Sequence, residues 1–136
     1  MRSASDLLLD FGAVGLGGAL GASARFLAGV VLHRVLLVYP GAATLLVNVV
    51  GSLLIGFLLA EPTPAWFTPR MRLLLVTGVL GGLTTFSSLA WETVSLTETH
   101  AERWGGAAHL VANLVLGLAA VLLGMALARV VRGGPV

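Results

Sequence analysis

A run of small and hydroxyl-bearing residues interrupts the third hydrophobic stretch of the chain, where positions 78–89 read GVLGGLTTFSSL. Glycine costs a helix interior about 1 kcal/mol relative to alanine, and threonine and serine side chains compete for backbone hydrogen bonds. The run predicts either a local break or a closely packed helix whose hydroxyls bond to preceding carbonyls. Non-helical backbone at membrane depth persists only where it is buried in protein or lines a water-filled cavity. A break here would therefore indicate an ion or substrate site.

Two other hydrophobic stretches carry polar or small residues at intervals of four, which places them along one face of a helix. They are Thr44, Asn48, Ser52 and Gly56 in the second stretch, and His109, Asn113 and Gly117 in the fourth. An amide that faced lipid would leave its donors and acceptor unpaired. Asn48 therefore either joins helices through hydrogen bonds, a contribution of about 1 kcal/mol, or points its donors into a polar path.

Charged residues in and beside the hydrophobic stretches are few. Arg25 lies inside the first stretch, whereas Asp10 lies at its edge. Glu92 follows Ser88 by four residues, on the same face of any helix that continues from there. It is interpreted either as a solvated helix end or as a functional carboxylate. The acidic residues around His100 predict a solvated loop rather than a metal site, because no second histidine or carboxylate cluster completes a ligand set.

The composition is that of an integral membrane protein. Of the 136 residues 57% are hydrophobic and 10% are charged, with a mean hydropathy of +0.99, whereas soluble domains carry about 25% charged residues. The absence of cysteine excludes disulfides and cysteine metal sites. All eight basic residues are scattered arginines, so nucleic-acid binding is not predicted. An enzymatic activity is not predicted either, because no nucleophile and base, phosphate loop or metal cluster stands at catalytic spacing.

The hydrophobic stretches approach the roughly 20 apolar residues that cross a bilayer, and the lipid bilayer is thus the expected surrounding. We predict one all-α domain of four transmembrane helices, at about 11–32, 41–60, 73–96 and 107–128. Gly17 and Gly21 have the spacing that lets two helices approach closely. Arg2, the following apolar run and the small residues at 21–24 also resemble a secretory signal. Asp10 interrupts that apolar run, which favours a transmembrane helix.

Four transmembrane helices place both termini on the same side of the membrane. Outside the hydrophobic core, that side carries five arginines and the other side two. The five are Arg2, Arg70, Arg72, Arg129 and Arg132, and the two are Arg34 and Arg103. The positive-inside rule therefore favours cytoplasmic termini in an inner or plasma membrane.

Fragments in three of the helices form a specific combination on a four-segment chain of this length. They are GGALG at 17–21 with Arg25, NVVGS at 48–52 with Gly56, and GGLTTFSS at 81–88 followed by Glu92 and Thr93. On these residues the chain resembles the small fluoride channel family known as CrcB or Fluc. The resemblance extends over essentially the whole chain and implies passive export of cytoplasmic fluoride.

The resemblance implies an antiparallel dual-topology dimer, in which two identical subunits are inserted in opposite orientations and enclose two fluoride pathways at their interface. It also implies a structural Na⁺ at the dimer centre, held by the main-chain carbonyls of Gly81 and Thr84. Hard cations prefer such oxygen ligands. Phe86 matches a phenylalanine whose ring edge, the positive end of the aromatic quadrupole, faces the permeating anion.

The remaining pathway residues implied by the resemblance are polar. Asn48 would supply amide donors, Ser87 and Ser88 hydroxyls, and Arg25 would draw anions toward a vestibule. The polar stripes add Thr44 and Asn113, and they also place His109 near the pathway. Fluoride is small and strongly hydrated, so a pore must replace its water with donors at close range while still allowing exit.

Two features depart from the family pattern. Leu89 stands where the family has a second phenylalanine, and the arginine bias suits a fixed orientation better than a dual-topology homodimer. Both features support the alternative that the chain is a non-conducting subunit, which pairs with an oppositely oriented paralogue. A second alternative is a proton-coupled exporter built from a similarly small four-helix dimer. Such a carrier requires a carboxylate deep in its first helix, whereas Asp10 lies at the edge of that helix.

Overall fold

The computed structural model describes residues 3–35, 41–99 and 104–133, and the predicted roles of Arg2, His100 and Arg103 lie outside the described residues. Within these ranges every regular element is a helix, and four helical spans are long and apolar enough to cross a membrane. We call them the first to fourth spans, Ala4–Arg34, Ala42–Leu59, Pro69–Glu98 and Gly105–Arg132. The all-α membrane architecture predicted from hydropathy is confirmed.

The first span is an α-helix over Ala4–Val30 that continues as a π-helical turn over Val31–Val35. It begins well before the expected start near residue 11, because Ser3 and Asp6 form a capping box upstream of the apolar run. Ser3 Oγ accepts a hydrogen bond from the Asp6 amide at 3.1 Å, and Asp6 Oδ2 accepts one from the Ser3 amide at 3.3 Å. A capping box satisfies amides that a helix start would otherwise leave free.

The second and fourth spans are continuous α-helices, Ala42–Leu59 and Gly105–Arg132, that pack against each other along most of their length. Their backbones meet at two glycines. A Cβ on Gly56 would collide with the Val121 carbonyl oxygen, and one on Gly124 would collide with the Leu53 carbonyl oxygen. Gly56, the small residue in the polar stripe of the second span, therefore permits the contact between the two helices.

The third span has several parts. An α-helical turn at Pro69–Arg72 leads into a π-helical stretch at Leu73–Leu80 and a last α turn at Gly81–Leu83. Thr84 and Thr85 are not helical, and Thr84 adopts extended angles of φ −82° and ψ 155°. An α-helix then resumes over Phe86–Thr99.

The first span packs on the first half of the third span through glycines, as the spacing of Gly17 and Gly21 predicts. Gly17 lies against the backbone of Gly78, and Gly82 lies against that of Gly18. Such contacts between backbones are what small residues allow in membrane helices. The third span is thereby fixed against the first before the non-helical segment begins.

The four spans alternate in direction. Arg70, at the start of the third span, bonds through Nε to Asp10 Oδ1 at 3.2 Å near the start of the first span. Arg132, at the end of the fourth span, donates to the Phe57 and Ala60 carbonyls at the end of the second, each at 2.8 Å. These contacts gather the two starts and the two ends at one face of the bundle.

Replacing Gly21 with alanine is expected to destabilise the fold by about 1–3 kcal/mol, the usual cost of forcing a methylene into a packed site. The added Cβ would collide with the Val79 carbonyl oxygen and lie 2.8 Å from the Leu83 amide nitrogen. Gly12→Ala is the matched control, because nothing lies within 4 Å of a Cβ there. Thermal unfolding of the purified variants in detergent measures the difference. Equal melting temperatures would contradict the close contact.

Candidate functional site

A cavity of about 340 Å³ lies between the second span and the middle of the third. Its apolar lining includes Leu89, which is 4% exposed, and its rim carries Phe86, which is 75% exposed. The polar and glycine residues that line it are Asn48, Gly51, Ser52, Gly81, Thr84 and Thr85. The cavity thus brings together Asn48, Phe86, Gly81 and Thr84 from the residues that the sequence predicts.

Asn48 binds the non-helical segment through both ends of its amide. Its Oδ1 accepts a hydrogen bond from the Thr85 amide at 2.9 Å, and its Nδ2 donates to the Thr85 carbonyl at 3.3 Å. Nδ2 also donates to Asn113 Oδ1 at 3.0 Å. Because a backbone amide can only donate, the Thr85 contact fixes which end of the Asn48 amide is oxygen. Both of its hydrogens are consequently used inside the protein.

Two carbonyls lose the donors that a continuous helix would supply, since each helical carbonyl accepts from the amide four residues later. The Thr85 amide donates to Asn48 instead of the Gly81 carbonyl. The Ser88 amide donates to Thr85 Oγ1 at 3.2 Å instead of the Thr84 carbonyl. Thr85 therefore acts as the N-cap of the resumed helix, and the two carbonyls predicted as cation ligands are those released from helical bonding.

The hydroxyls of the segment divide between two tasks. Thr84 Oγ1 donates back to the Leu80 carbonyl at 2.9 Å, as expected for a threonine that closes a helical turn. Thr85 Oγ1 lies 3.2 Å from the hydroxyls of both Ser87 and Ser88. Gly51 leaves room for the segment, because a Cβ there would collide with Thr84 Cγ2. The glycine of the NVVGS fragment thus has a packing role.

The two polar stripes face each other and continue beyond the cavity. Asn113 is 5% exposed and donates through Nδ2 to the His109 carbonyl at 3.0 Å. The His109 ring is buried, and its Nε2 lies 3.1 Å from Glu92 Oε2. Thr44 Oγ1 donates to the other Glu92 oxygen at 2.7 Å. We call this line of side chains, from Glu92 to Asn48, the polar column.

The structure gives different surroundings to the charged residues. Arg25 is half-buried in the first span, does not line the cavity, and has no hydrogen bond or ion pair to the rest of the described chain. Asp10 pairs with Arg70 at the end of the bundle. Glu92, by contrast, joins the third span to the second and fourth. Sequence spacing placed Glu92 on the face of Ser88 but could not identify His109 as its partner, since the two lie on different spans.

Comparisons with known proteins agree on one family. A family model described as "CrcB-like protein, Camphor Resistance (CrcB)" matches residues 12–125. A protein of Rhizobium meliloti (strain 1021), 46% identical over 85% of this chain and 93% of its own length, is named fluoride-specific ion channel FluC. Proteins of Methanopyrus kandleri and Bordetella petrii bear the same name. The Methanopyrus kandleri protein is 43% identical over 92% of this chain and 93% of its own length. The Bordetella petrii protein is 47% identical over 91% of this chain and 94% of its own length.

Asn48→Ala is expected to speed hydrogen exchange at the Thr85 amide by roughly tenfold, because a lost hydrogen bond is worth about 0.5–1.5 kcal/mol. Ser52→Ala is the matched control, since Ser52 lines the same cavity one helical turn away. Exchange followed by mass spectrometry on peptides that contain residue 85 measures the effect. Unchanged exchange in Asn48→Ala would show that the side chain does not hold the segment.

Proposed function

Because the chain belongs to the CrcB-like protein family, a family of fluoride ion channels rather than enzymes, we propose that it is a fluoride-selective channel. Fluoride that enters a cell as HF would leave through it passively. The observation that carries this proposal is the cavity between the second and third spans, where an aromatic ring, hydroxyls and an amide surround a non-helical segment. The protein is a multi-pass membrane protein, and the cavity lies between two of its four apolar spans.

The site suits a small anion because it offers hydroxyl and amide donors and, among the described residues, no charged side chain lines the cavity. Phe86 presents a ring at the cavity rim, and Ser87 and Ser88, which follow it outside the cavity lining, offer hydroxyls beside Thr85 Oγ1. The ring edge attracts an anion weakly, which favours passage over retention. The bond from Asn48 Nδ2 to the Thr85 carbonyl is its longest, at 3.3 Å. Fluoride would compete with that carbonyl for the donor. Arg25, Thr44 and Asn113 complete the proposed pathway, Asn113 by holding the Asn48 amide.

The exposed position of the cavity supports a dimer. Phe86, Ser87 and Gly81 are exposed on a single chain, and polar groups facing lipid would be left without partners. A second copy covering this face would enclose the cavity in protein. We infer a homodimer of oppositely inserted copies, in which each copy contributes one wall of a fluoride pathway.

The residues present fit a sodium ion at the centre of that dimer. The carbonyls of Gly81 and Thr84 lack the helical donors that would otherwise satisfy them, and such carbonyls are suitable ligands for a hard cation. A bound Na⁺ would supply positive charge to carbonyl oxygens of both copies. The chain's contribution is to present these oxygens, through the bonds that Asn48 and Thr85 make to the neighbouring amides.

Two alternatives rest on particular residues. The exporter requires an available carboxylate in the first span, whereas Asp10 forms an ion pair with Arg70 at 3.2 Å, which favours a structural role. The non-conducting subunit rests on Leu89, which lines the cavity as a buried aliphatic residue. Leucine fills that volume but presents no positive ring edge. Reconstitution without a paralogue separates this alternative from the proposed channel.

Liposomes that contain only this purified chain are expected to release fluoride and to retain chloride, because a pore of closely spaced donors suits the smaller anion. Ion-selective electrodes measure both. Folded protein that releases fluoride only after a paralogue is added would establish the heterodimeric alternative. Loss of activity in Asp10→Asn, with Asn48→Ala and Phe86→Ala unaffected, would favour the exporter.

In the same assay Phe86→Ala is expected to slow fluoride release by roughly tenfold, in line with an aromatic contact worth about 0.5–1.5 kcal/mol. Phe11→Ala is the matched control, because Phe11 is also 75% exposed but lies on the first span, away from the cavity. Equal rates for the two variants would remove Phe86 from the pathway.

Replacing sodium with N-methylglucamine is expected to lower the dimer fraction and slow fluoride release, because the two carbonyls would lose their cation. In the presence of sodium, Gly81→Val should likewise lower the dimer fraction and slow fluoride release. In a single chain it should leave the fold intact, since a Cβ there lies no closer than 3.8 Å to the Val76 carbonyl oxygen. Light scattering in detergent measures the dimer fraction, and Gly29→Val, at an open position, is the control. A dimer fraction indifferent to sodium would exclude the proposed cation site.

A further inference from the structure

A buried histidine and a carboxylate meet at the end of the polar column farthest from Arg70 and Arg132. His109 is 4% exposed, and its Nε2 lies 3.1 Å from Glu92 Oε2. Gly41 covers the ring so closely that a Cβ there would lie 2.8 Å from His109 Cε1. Thr44 binds the other carboxylate oxygen at 2.7 Å. We call the two titratable groups the Glu92–His109 pair.

We propose that the Glu92–His109 pair is a proton-binding site that controls the rate of fluoride passage. Uptake of one proton changes the pair from one net negative charge to none, and fluoride then passes the polar column more readily. This inference rests on the proposed channel function and adds a regulator to it. No bond other than that to the proton forms or breaks.

The geometry makes the two groups a unit for proton binding. An imidazole and a carboxylate within hydrogen-bond distance titrate as a pair rather than separately. Histidine is the side chain whose charge ordinarily changes between about pH 5 and pH 8. With a neutral imidazole, Nε2–H donates to the carboxylate and the pair is negative. With an imidazolium, the same contact is an ion pair without net charge.

A hydrogen-bonded path connects the pair to the cavity. The His109 carbonyl accepts from Asn113 Nδ2 at 3.0 Å, and Asn113 Oδ1 accepts from Asn48 Nδ2 at 3.0 Å. Asn48 in turn holds Thr85 in the non-helical segment. An anion that moves along this column approaches Glu92. Repulsion between like charges is stronger in a poorly solvated interior than in water, so the charge of the pair acts directly on the anion.

Within the described residues, no other charged group opposes or replaces the pair. The second span contains no charged residue, and the fourth has only Arg129 and Arg132, near its far end. Glu98, on the third span, is exposed beyond Glu92. His33 and Arg34, at the end of the first span, are exposed, and that end does not touch the fourth span. The charge of the Glu92–His109 pair is therefore set chiefly by its own protonation.

Electrical recording from bilayers that contain the purified protein tests the proposal. HF is uncharged, so its passive crossing adds nothing to the current. At fixed fluoride concentration we expect the current at pH 6 to exceed that at pH 8 by at least about fivefold, the lower range of coupling between two sites. His109→Asn should give a small current at both pH values, because the imidazole that takes up the proton is gone. His33→Asn, at an exposed position, should keep the wild-type ratio.

Magnetic resonance on labelled histidine provides a readout that does not depend on conduction or on the His109→Asn variant folding. The chain has three histidines, so a His33→Asn, His100→Asn variant leaves His109 alone. Its signals should change as the pair takes up a proton. A fluoride ion beside the pair disfavours its negative form, so fluoride should shift that change to higher pH, and chloride should not.

The outcomes separate the two proposals. A wild-type current that does not change with pH would overturn the proposal that proton binding controls fluoride passage. A histidine signal that does not change with pH, or whose change with pH is the same with and without fluoride, would overturn it as well. A fluoride-sensitive titration without any fluoride current would overturn the channel function while supporting the proton-binding site. A fluoride current with the expected ratio between pH 6 and pH 8 would support both the channel function and the proton-binding site, provided that His109→Asn loses this ratio and His33→Asn keeps it.

Discussion

The two hydrogen bonds between the Asn48 amide and the main chain of Thr85 are the interaction on which the rest of the site depends. A peptide group that leaves helical bonding inside a membrane must find new partners, because lipid offers none. Asn48 supplies both a donor and an acceptor to the same residue. By taking the Thr85 amide, it also releases the Gly81 carbonyl. One side chain on the second span thus stabilises the segment and deprives the Gly81 carbonyl of the amide that would bond to it in a continuous helix.

Glycines determine where the backbone can come close enough for this exchange. Gly17 and Gly21 let the first span lie directly on the first half of the third, and Gly51 admits the Thr84 methyl group beside Asn48. The third span is therefore held on one side by backbone contact and on the other by an amide. A larger side chain at these positions would move the segment away from its hydrogen-bond partners, even though no glycine supplies a polar group itself.

The sequence predicted those features that depend on local pattern. Hydropathy identified the spans, and the density of glycine and hydroxyl residues marked the segment around Thr84. The start of the first span was misplaced, because the Ser3 capping box lies upstream of the apolar run and leaves no hydropathy signal. The contact between Glu92 and His109 could not be predicted either, since it depends on the register between the third and fourth spans. The number of subunits and the cation remain proposals, because they concern groups beyond one chain.

The hydrogen bonds from Arg132 to the end of the second span have a consequence for biosynthesis. Its guanidinium donates to the Phe57 and Ala60 carbonyls and lies 4.7 Å from the centre of the Phe57 ring. The second span is made long before Arg132, so in the nascent chain these carbonyls have no such donor. The end of the second span is completed only when the fourth span has left the ribosome and inserted. Closure of this end of the bundle therefore follows the insertion of the fourth span.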